Sequence, residues 1–568
     1  MEKNSGVYAF FRQLKADGIT CMFGNPGSSE ENLLDALTDT EFADFKYYLG
    51  LQEGSVVAMA DAYARARPDR PAVVQLHSYA GLANGLGMMY YARRGYTPMV
   101  VVAGEAGLQY EALDGQMAAD LVGMARPFVK SDHNGPCAWR VVDHGSVLRL
   151  LRRALKAAAT PPRGPTFLAL PMDVLDQVNA ESIVPSLPVD SRVTPPREVI
   201  ARAAEALVNA RRPLLIVGDG VAAAEAQAEL VKVAELVGAP VRGANYSEVN
   251  MPASHPLFEG SFGHMFGKDS QSVISRADVV LVCGTTFLPE VFPTLEEVFA
   301  PDAWVIHFDL NAYEIGKNFP VKIAALADPK PTLRLLADAI LAIRTEGQAA
   351  QARQRLDEAR ARKQVELQAG RDADERLAGS NPMRAPLFMK ELAERLRGRD
   401  ALIFDEALTH SGELARYLSQ DKPGTFFQTR AGMLGTGLPG AVGLKAAHPD
   451  KVVFGFSGDG GTISTIQALS TAARYDLGAK FVICNNRSYR ILKQNLREYW
   501  SMREMSTNRP FPPSFDLTAP ELRFDQLAAG QGVRAFRVET PGQVIPAIEE
   551  ALKDDHPFLI DLVLDSAL

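Results

Sequence analysis

Cysteine is scarce: the 568-residue chain has four, Cys21, Cys137, Cys283 and Cys484, three of them inside apolar runs. They stand far apart and no Cys-x-x-Cys spacing occurs, which excludes a thiolate metal cage or a disulfide frame. They are expected to be buried, reduced thiols of a cytoplasmic protein. No apolar run approaches the ~20 residues that a membrane-spanning helix needs. The opening residues mix charge with an amphipathic pattern (Val7, Phe10, Phe11, Leu14), so no secretory leader is expected. A basic block is also missing. The formal net charge of -8 is spread along the chain, which argues against nucleic acid as a partner. What remains is a composition of 47% hydrophobic and 23% charged residues, ordinary for a globular protein. The length suits about three domains.

Residues 1 to about 180 alternate helix and strand signals: Ser5–Asp17 as helix, Cys21–Phe23 as strand, then a turn Asn25-Pro26-Gly27-Ser28-Ser29. Strands are expected at Phe45–Leu49, Ala72–Leu76, Met99–Ala103 and Thr166–Leu170, with helices between them. Near-continuous Val/Ile/Leu strands alternating with helices mean parallel sheets covered on both faces. Ser182–Pro196 turns to Pro, Val and Ser and reads as a linker. A second such block follows, with strands at Pro213–Val217, Ala239–Arg242, Asp278–Cys283 and Trp304–Phe308. Glu346–Leu377 is rich in Ala, Arg, Glu, Gln and Lys without Pro and reads as a solvated helical connector. The third block runs from Asn381 to Leu568. No internal repeat is visible, although the first and third blocks could share a fold.

The third block holds the chain's densest chemistry. A buried strand, Val452–Phe456, ends in Gly458-Asp459-Gly460-Gly461; a helix follows, and a second strand, Lys480–Cys484, ends in Asn485-Asn486. Polar residues thus gather at the carboxyl ends of two strands, where open α/β sheets hold ligands. The Asp459 carboxylate, the Asn486 amide oxygen and the Ser488 backbone carbonyl form an all-oxygen set that suits Mg²⁺, a metal that keeps water and phosphate as further ligands. Glycines let the chain approach a diphosphate closely, and helix-start N–H groups favour anions. Gly-Asp-Gly, the 24 residues 461–484, and Asn-Asn resemble the thiamin diphosphate (ThDP) signature of the pyruvate decarboxylase and acetohydroxyacid synthase superfamily. A second Gly218-Asp219-Gly220 lacks the Asn pair, having Ala244-Asn245 instead, and reads as a strand–turn in a domain without cofactor.

The resemblance extends along nearly the whole chain. It implies three doubly wound parallel-sheet α/β domains: pyrimidine-binding (1–180), middle (196–345) and diphosphate-binding (381–568), with the helical connector at 346–380. It also implies ThDP and Mg²⁺ as cofactors. The YLGLQEGSVVAMADAYAR stretch resembles the family's glutamate motif, which places Glu53 beside the cofactor's aminopyrimidine. Glu53 lies between a strand and an Ala-rich helix, with few polar neighbours expected; an acid in a first helical turn is the alternative. FGNPGSSEENLLDAL, LQEGSVVAMADAYAR and LHSYAGLANGL look most like the benzoylformate decarboxylase branch. That likeness implies that Ser28 holds a substrate carboxylate and His77 moves protons, a task suited to an imidazole. Ser28 also reads as an N-cap and His77 as a hydrogen-bonded buried histidine. The loop from Gly432 to Pro439 resembles the family's ring-wedging loop, with Leu434 as wedge or as ordinary core leucine. Thr409 and His410 are expected to reach the diphosphate.

Departures from the branch are specific. Glu290 stands where benzoylformate decarboxylases carry a second histidine. Gln116 matches a glutamine of the acetohydroxyacid synthase branch, and Ile491 is bulky where benzoylformate decarboxylases are small. Lys493–Pro513 is long enough for a lid or a surface insertion. The expectation is a decarboxylase of an aromatic or bulky 2-oxo acid that yields an aldehyde and CO₂. Its rivals are a carboligase, a 2-hydroxy-ketone or 2-hydroxyacyl lyase, and an acetohydroxyacid synthase-like enzyme. The family's pattern further implies a homo-oligomer, a dimer or a dimer of dimers, with active sites shared between chains.

Overall fold

A computed structural model of the chain describes residues 2–187, 189–263, 265–288 and 290–568. The described strands, in chain order, begin with β1 (Cys21–Asn25), β2 (Lys46–Leu49), β3 (Ala72–Leu76), β4 (Met99–Glu105), a two-stranded hairpin β5 (Ser131–Asp132) and β6 (Gly135–Pro136), β7 (Ala138–Arg140) and β8 (Pro165–Pro171). The middle block carries β9 (Pro213–Val217), β10 (Val241–Gly243), β11 (Phe258–Ser261), β12 (Val279–Cys283), β13 (Trp304–Asp309) and β14 (Ile323–Leu326). The last block carries β15 (Ala401–Glu406), β16 (Phe426–Gln428), β17 (Val452–Gly458), β18 (Lys480–Asn485), β19 (Arg534–Val538) and β20 (Phe558–Val563).

They form three six-stranded sheets whose ladders are parallel throughout. The central strands β4 and β8 are buried along their whole length, as continuous apolar runs require when helices cover both faces. The first sheet has the order β2-β1-β3-β4-β8-β7 and the third β16-β15-β17-β18-β20-β19. Counted from each domain's own first strand, these orders are the same, so the two outer domains share a fold. In the middle sheet, β11-β10-β9-β12-β13-β14, the strand order runs outward from β9 to β11 on one side and from β12 to β14 on the other. A crevice therefore opens between β9 and β12, at the topological switch point.

The helix after β2 (Glu53–Ala66) packs against its counterpart after β16 (Gly437–Ala447). The crossing is close: a Cβ on Gly443 would lie 2.1 Å from the Met59 carbonyl oxygen, so only glycine fits. Arg65, buried on the first of these helices, binds all three domains together. Its guanidinium donates to the middle domain's Glu248 carboxylate (3.0 Å) and Ser247 carbonyl (2.8 Å), and to the third domain's Gln428 carbonyl (3.1 Å). The connector forms one helix, Glu346–Arg376, started by a Thr345/Gln348 capping box. All four cysteines are free and buried. Among the described residues no helix is long and apolar enough to cross a membrane.

Candidate active site

At the carboxyl end of β17 the chain turns at Gly458 into a short helix, Asp459–Ser464. The Asp459 side chain lies 4% exposed, and burial pushes its carboxyl up to about 6 against the opposing pull of backbone N–H donors. Its Oδ1 accepts from Gly460 N–H (2.8 Å) and its Oδ2 from Ser488 N–H (3.1 Å). The same Ser488 N–H also reaches Asn486 Oδ1 (3.1 Å), so the turn draws Asp459, Asn486 and Ser488 into one cluster. Asn485 faces away and donates to Asp561 (2.9 Å). The Ser488 carbonyl accepts from Arg490 N–H at 2.7 Å and retains a second lone pair.

A buried carboxylate without an ammonium or guanidinium bonded to it fits a cation. Among the described residues no group of three or more His, Cys, Asp or Glu could hold a metal. The cation would thus be bound by one carboxylate plus amide and carbonyl oxygens, leaving positions for water and phosphate as Mg²⁺ prefers. On the helix that Asp459 opens and just after it, Thr462 Oγ1, Thr465 Oγ1 and Gln467 Oε1 are buried without partners among the described residues. Gly460 packs on the Tyr489 ring, where a Cβ would come within 2.3 Å; a Cβ on Gly461 would meet Glu406 at 3.0 Å. Gly458 faces open space.

The loop after β15 supplies Thr409 and His410 on a single 3-10 turn, Leu408–His410. His410 is buried, its Nδ1 2.7 Å from Glu413 and its Nε2 3.5 Å from Arg490, and it is close enough to favour the ionised Asp459. Leu434 is 38% exposed, which rules out the core-leucine reading. It projects from a loop with positive φ at Ala431 (54°), Gly432 (67°) and Gly435 (82°). The fully buried Glu406 at the end of β15 holds this loop by accepting from Gly435 N–H, Gly437 N–H (2.6 Å) and Ser457 Oγ (3.0 Å). Burial pushes its carboxyl up to about 7. Sequence reasoning missed Glu406; its only visible signal was the acidic pair Asp405-Glu406 closing an otherwise apolar strand.

The first domain presents a second cluster at the carboxyl ends of β1 and β3. Glu53 begins its helix and lies 9% exposed, but it is not short of polar neighbours: Asn25 and Asn84 donate to its two oxygens at 2.9 and 3.1 Å. His77 stands at the N-cap position of the helix Ser78–Arg94, its side chain making no capping bond. Ser28 is exposed in the turn Ser28–Glu30 and makes none of the hydrogen bonds there. Its neighbour Ser29 is the buried one, with Oγ 3.2 Å from His77 Nδ1. Glu30, which sequence reasoning also missed, is fully buried and lies 2.8 Å from the same Nδ1. Gln116 is exposed on a loop whose next residue, Met117, accepts through its carbonyl from Ser78 Oγ (3.4 Å).

Other expected positions fall elsewhere. Glu290 is buried against Ser270 of the helix Gly267–Ile274, with its second oxygen unpartnered. Ile491 is half-buried at the start of the helix Arg490–Met502. Lys493–Pro513 is thus largely that helix and a returning strap, clipped by the Trp500–Phe511 stack at 5.5 Å. The second Gly-Asp-Gly is a strand-to-helix junction and not a strand–turn: Gly218 caps a short helix, Asp219–Ala223, and Asp219 accepts from the backbone N–H of Ser247 and Glu248 and from Asn250. A cavity of about 400 Å³ lies between the first and middle domains, bordered by Arg163, Asp309, Asn311 and Glu248.

Among the described residues no hydrogen bond or ion pair joins the Glu53/His77 cluster to the Asp459/Asn486 cluster. One offers a carboxylate and an imidazole; the other offers a cation and anion cradle.

Models of three domain families match the chain: thiamine pyrophosphate enzyme N-terminal TPP binding domain over residues 4–124, central domain over 200–336, and C-terminal TPP binding domain over 409–562. Benzoylformate decarboxylase of Pseudomonas aeruginosa is 30% identical over 558 residues, 98% of each chain. Acetolactate synthase isozyme 3 large subunit of Escherichia coli is 27% identical over 577 residues, covering 100% of this chain and 96% of the relative. Among solved structures, the thiamine diphosphate-dependent 4-hydroxybenzoylformate decarboxylase of Rhodococcus jostii RHA1 superposes with a TM-score of 0.81 at 25% identity. It covers 99% of this chain and 100% of its own.

Proposed function

Since the chain belongs to the thiamine pyrophosphate enzyme family, we propose that it decarboxylates an aromatic or bulky 2-oxo acid to an aldehyde and CO₂. The observation that carries this reading is His77, anchored at the sheet ends by Glu30 and packed against Gly27 of the turn that carries the exposed Ser28. Full-length similarity to chains named benzoylformate decarboxylase and 4-hydroxybenzoylformate decarboxylase supports it.

In this reading Asp459, Asn486 and the Ser488 carbonyl hold Mg²⁺. Gly458, Gly460, Gly461, Thr409 and His410 line the diphosphate, and Leu434 supports the cofactor rings. Glu53, steadied by Asn25 and Asn84, faces the aminopyrimidine. Bound thiamin diphosphate supplies an electron-accepting thiazolium for the pair released as CO₂ departs. Ser28 donates to the substrate carboxylate and orients it for loss. His77 then delivers a proton to the substrate-derived carbon. In the same reading, Glu53 of one subunit meets the Asp459 cluster of another in a homodimer or dimer of dimers, as the family pattern implies. Leu51, Tyr79 and Ile463, all exposed, lie next to these clusters in sequence and are suited to that contact.

A second reading, a carboligase or 2-hydroxy-ketone or 2-hydroxyacyl lyase, including acetohydroxyacid synthase-like chemistry, is favoured by Gln116 and by Glu290 at the second-histidine position. Acetolactate synthase relatives match over the whole chain. Product analysis separates the two. Benzoylformate incubated with enzyme, ThDP and Mg²⁺ should give benzaldehyde by proton NMR. Accumulation of 2-hydroxy ketone without free aldehyde would favour the second reading.

A further inference from the structure

The Glu30 carboxylate has four hydrogen-bonding neighbours and no exposure. Its Oε1 faces Gly104 N–H and Ser29 Oγ, both at 2.8 Å; its Oε2 faces Gly27 N–H at 2.9 Å and His77 Nδ1 at 2.8 Å. Each oxygen meets a backbone N–H, which can only donate, and this is the pattern of an acceptor-only carboxylate. Nδ1 of His77 therefore carries the hydrogen, and Nε2, on the far side of the ring, carries the lone pair. The ring is held flat against the turn as well: a Cβ on Gly27 would lie 2.3 Å from Nδ1, so residue 27 must be glycine for the imidazole to lie there. Ser29 Oγ, 3.2 Å from both Nδ1 and the Gly104 carbonyl, closes the same network.

We infer that Glu30 is a positioning residue that fixes the tautomer of His77 and so presents a proton-exchanging Nε2 to the substrate. This inference rests on the reading of His77 as the proton-moving group. Neutral His77 takes a proton from solvent at Nε2 and passes it to the substrate-derived carbon, returning to the Nδ1–H form while Glu30 keeps its hydrogen bond. A capping-box role for Glu30 explains the bond from Gly27 N–H but neither the His77 contact nor the fixed ring face. Carboxylate–imidazole pairs of this kind set which nitrogen is free, and loss of the carboxylate partner costs on the order of 10–100-fold in function.

The test is nitrogen NMR of the ThDP- and Mg²⁺-loaded protein labelled with ¹⁵N-histidine, with the His77 signals assigned from a His77→Gln variant. The expected spectrum, at a pH where the ring is neutral, shows Nδ1 protonated and Nε2 bare. A proton on Nε2 overturns the inference, with no further variant needed. In Glu30→Gln an amide NH₂ replaces one acceptor, so the tautomer should mix or invert; an unchanged spectrum overturns the inference. Kinetically, Glu30→Gln should lower kcat by about 10–100-fold with KM little changed, and should cost nothing more in the His77→Gln background. An equal loss in both backgrounds would mark Glu30 as merely structural. If no 2-oxo acid is decarboxylated at all, the role of His77 falls, while the nitrogen spectrum still decides what Glu30 does.

Discussion

Glu406 permits a prediction with a worked magnitude. Its buried carboxyl stands at about 7 instead of the ordinary 4.5 because burial penalises the charge more than its backbone and Ser457 donors repay. The difference corresponds to about 3 kcal/mol. A raised carboxyl adds stability that is fully present below about 4.5 and lost as pH rises through about 7. Glu406→Gln stays neutral throughout and has nearly the same shape, but one acceptor becomes an NH₂ facing an N–H of Gly435 or Gly437, at a cost of roughly 1–3 kcal/mol. The wild type should therefore exceed the variant in acid, and its advantage should shrink by about 3 kcal/mol between about pH 5 and pH 8. The assay is hydrogen exchange of the peptide spanning 429–440, corrected for the intrinsic pH dependence of exchange. The ratio of wild-type to variant protection should fall by roughly 100-fold over that range. A ratio that does not change with pH would refute the assignment of Glu406 as a clamp on the Leu434 loop whose charge is disfavoured by burial.

Other expectations follow from named contacts. Arg65→Leu leaves Glu248 and two carbonyls unpaired at the three-domain junction, so the apparent unfolding midpoint should drop as expected for a loss of about 3–5 kcal/mol. An unchanged midpoint would show that the junction is held elsewhere. Gly460→Ala brings a methyl group onto the Tyr489 ring. It should weaken ThDP binding in calorimetry, whereas wild-type affinity would place the diphosphate elsewhere. Glu53→Gln and Asp459→Ala should each be inactive, yet a mixture allowed to exchange subunits should regain up to about a quarter of activity if sites are shared between chains. No recovery after demonstrated exchange would place each site within one chain.

Much of the architecture was legible because buried parallel strands are long apolar runs; β3, β4, β9, β12 and β17 stand out from composition alone. The short strands Ala138–Arg140, Phe426–Gln428 and Arg534–Val538 did not, since three to five residues of mixed polarity carry no period. The shared order of the outer sheets left no trace as a repeat, because strand order is set by pairing rather than by residue identity. In the site, Asp459 and Asn486 were visible through the spacing of their motif. The partners of Glu53 were not, for Asn25 and Asn84 meet it across 28 and 31 residues of chain. Glu30 was hidden by looking like a helix-capping acid. Between the adjacent Ser28 and Ser29, only folding decides which faces inward.

The most direct test of the central proposal is CO₂ release from a panel of 2-oxo acids, from pyruvate to benzoylformate, with ThDP and Mg²⁺ supplied together, singly and not at all. The expected result is CO₂ with an equal amount of the matching aldehyde, greatest for the bulky or aromatic acids and dependent on both additions. No CO₂ from any acid, with 2-hydroxy ketones made or cleaved in the same tubes, would contradict the decarboxylase.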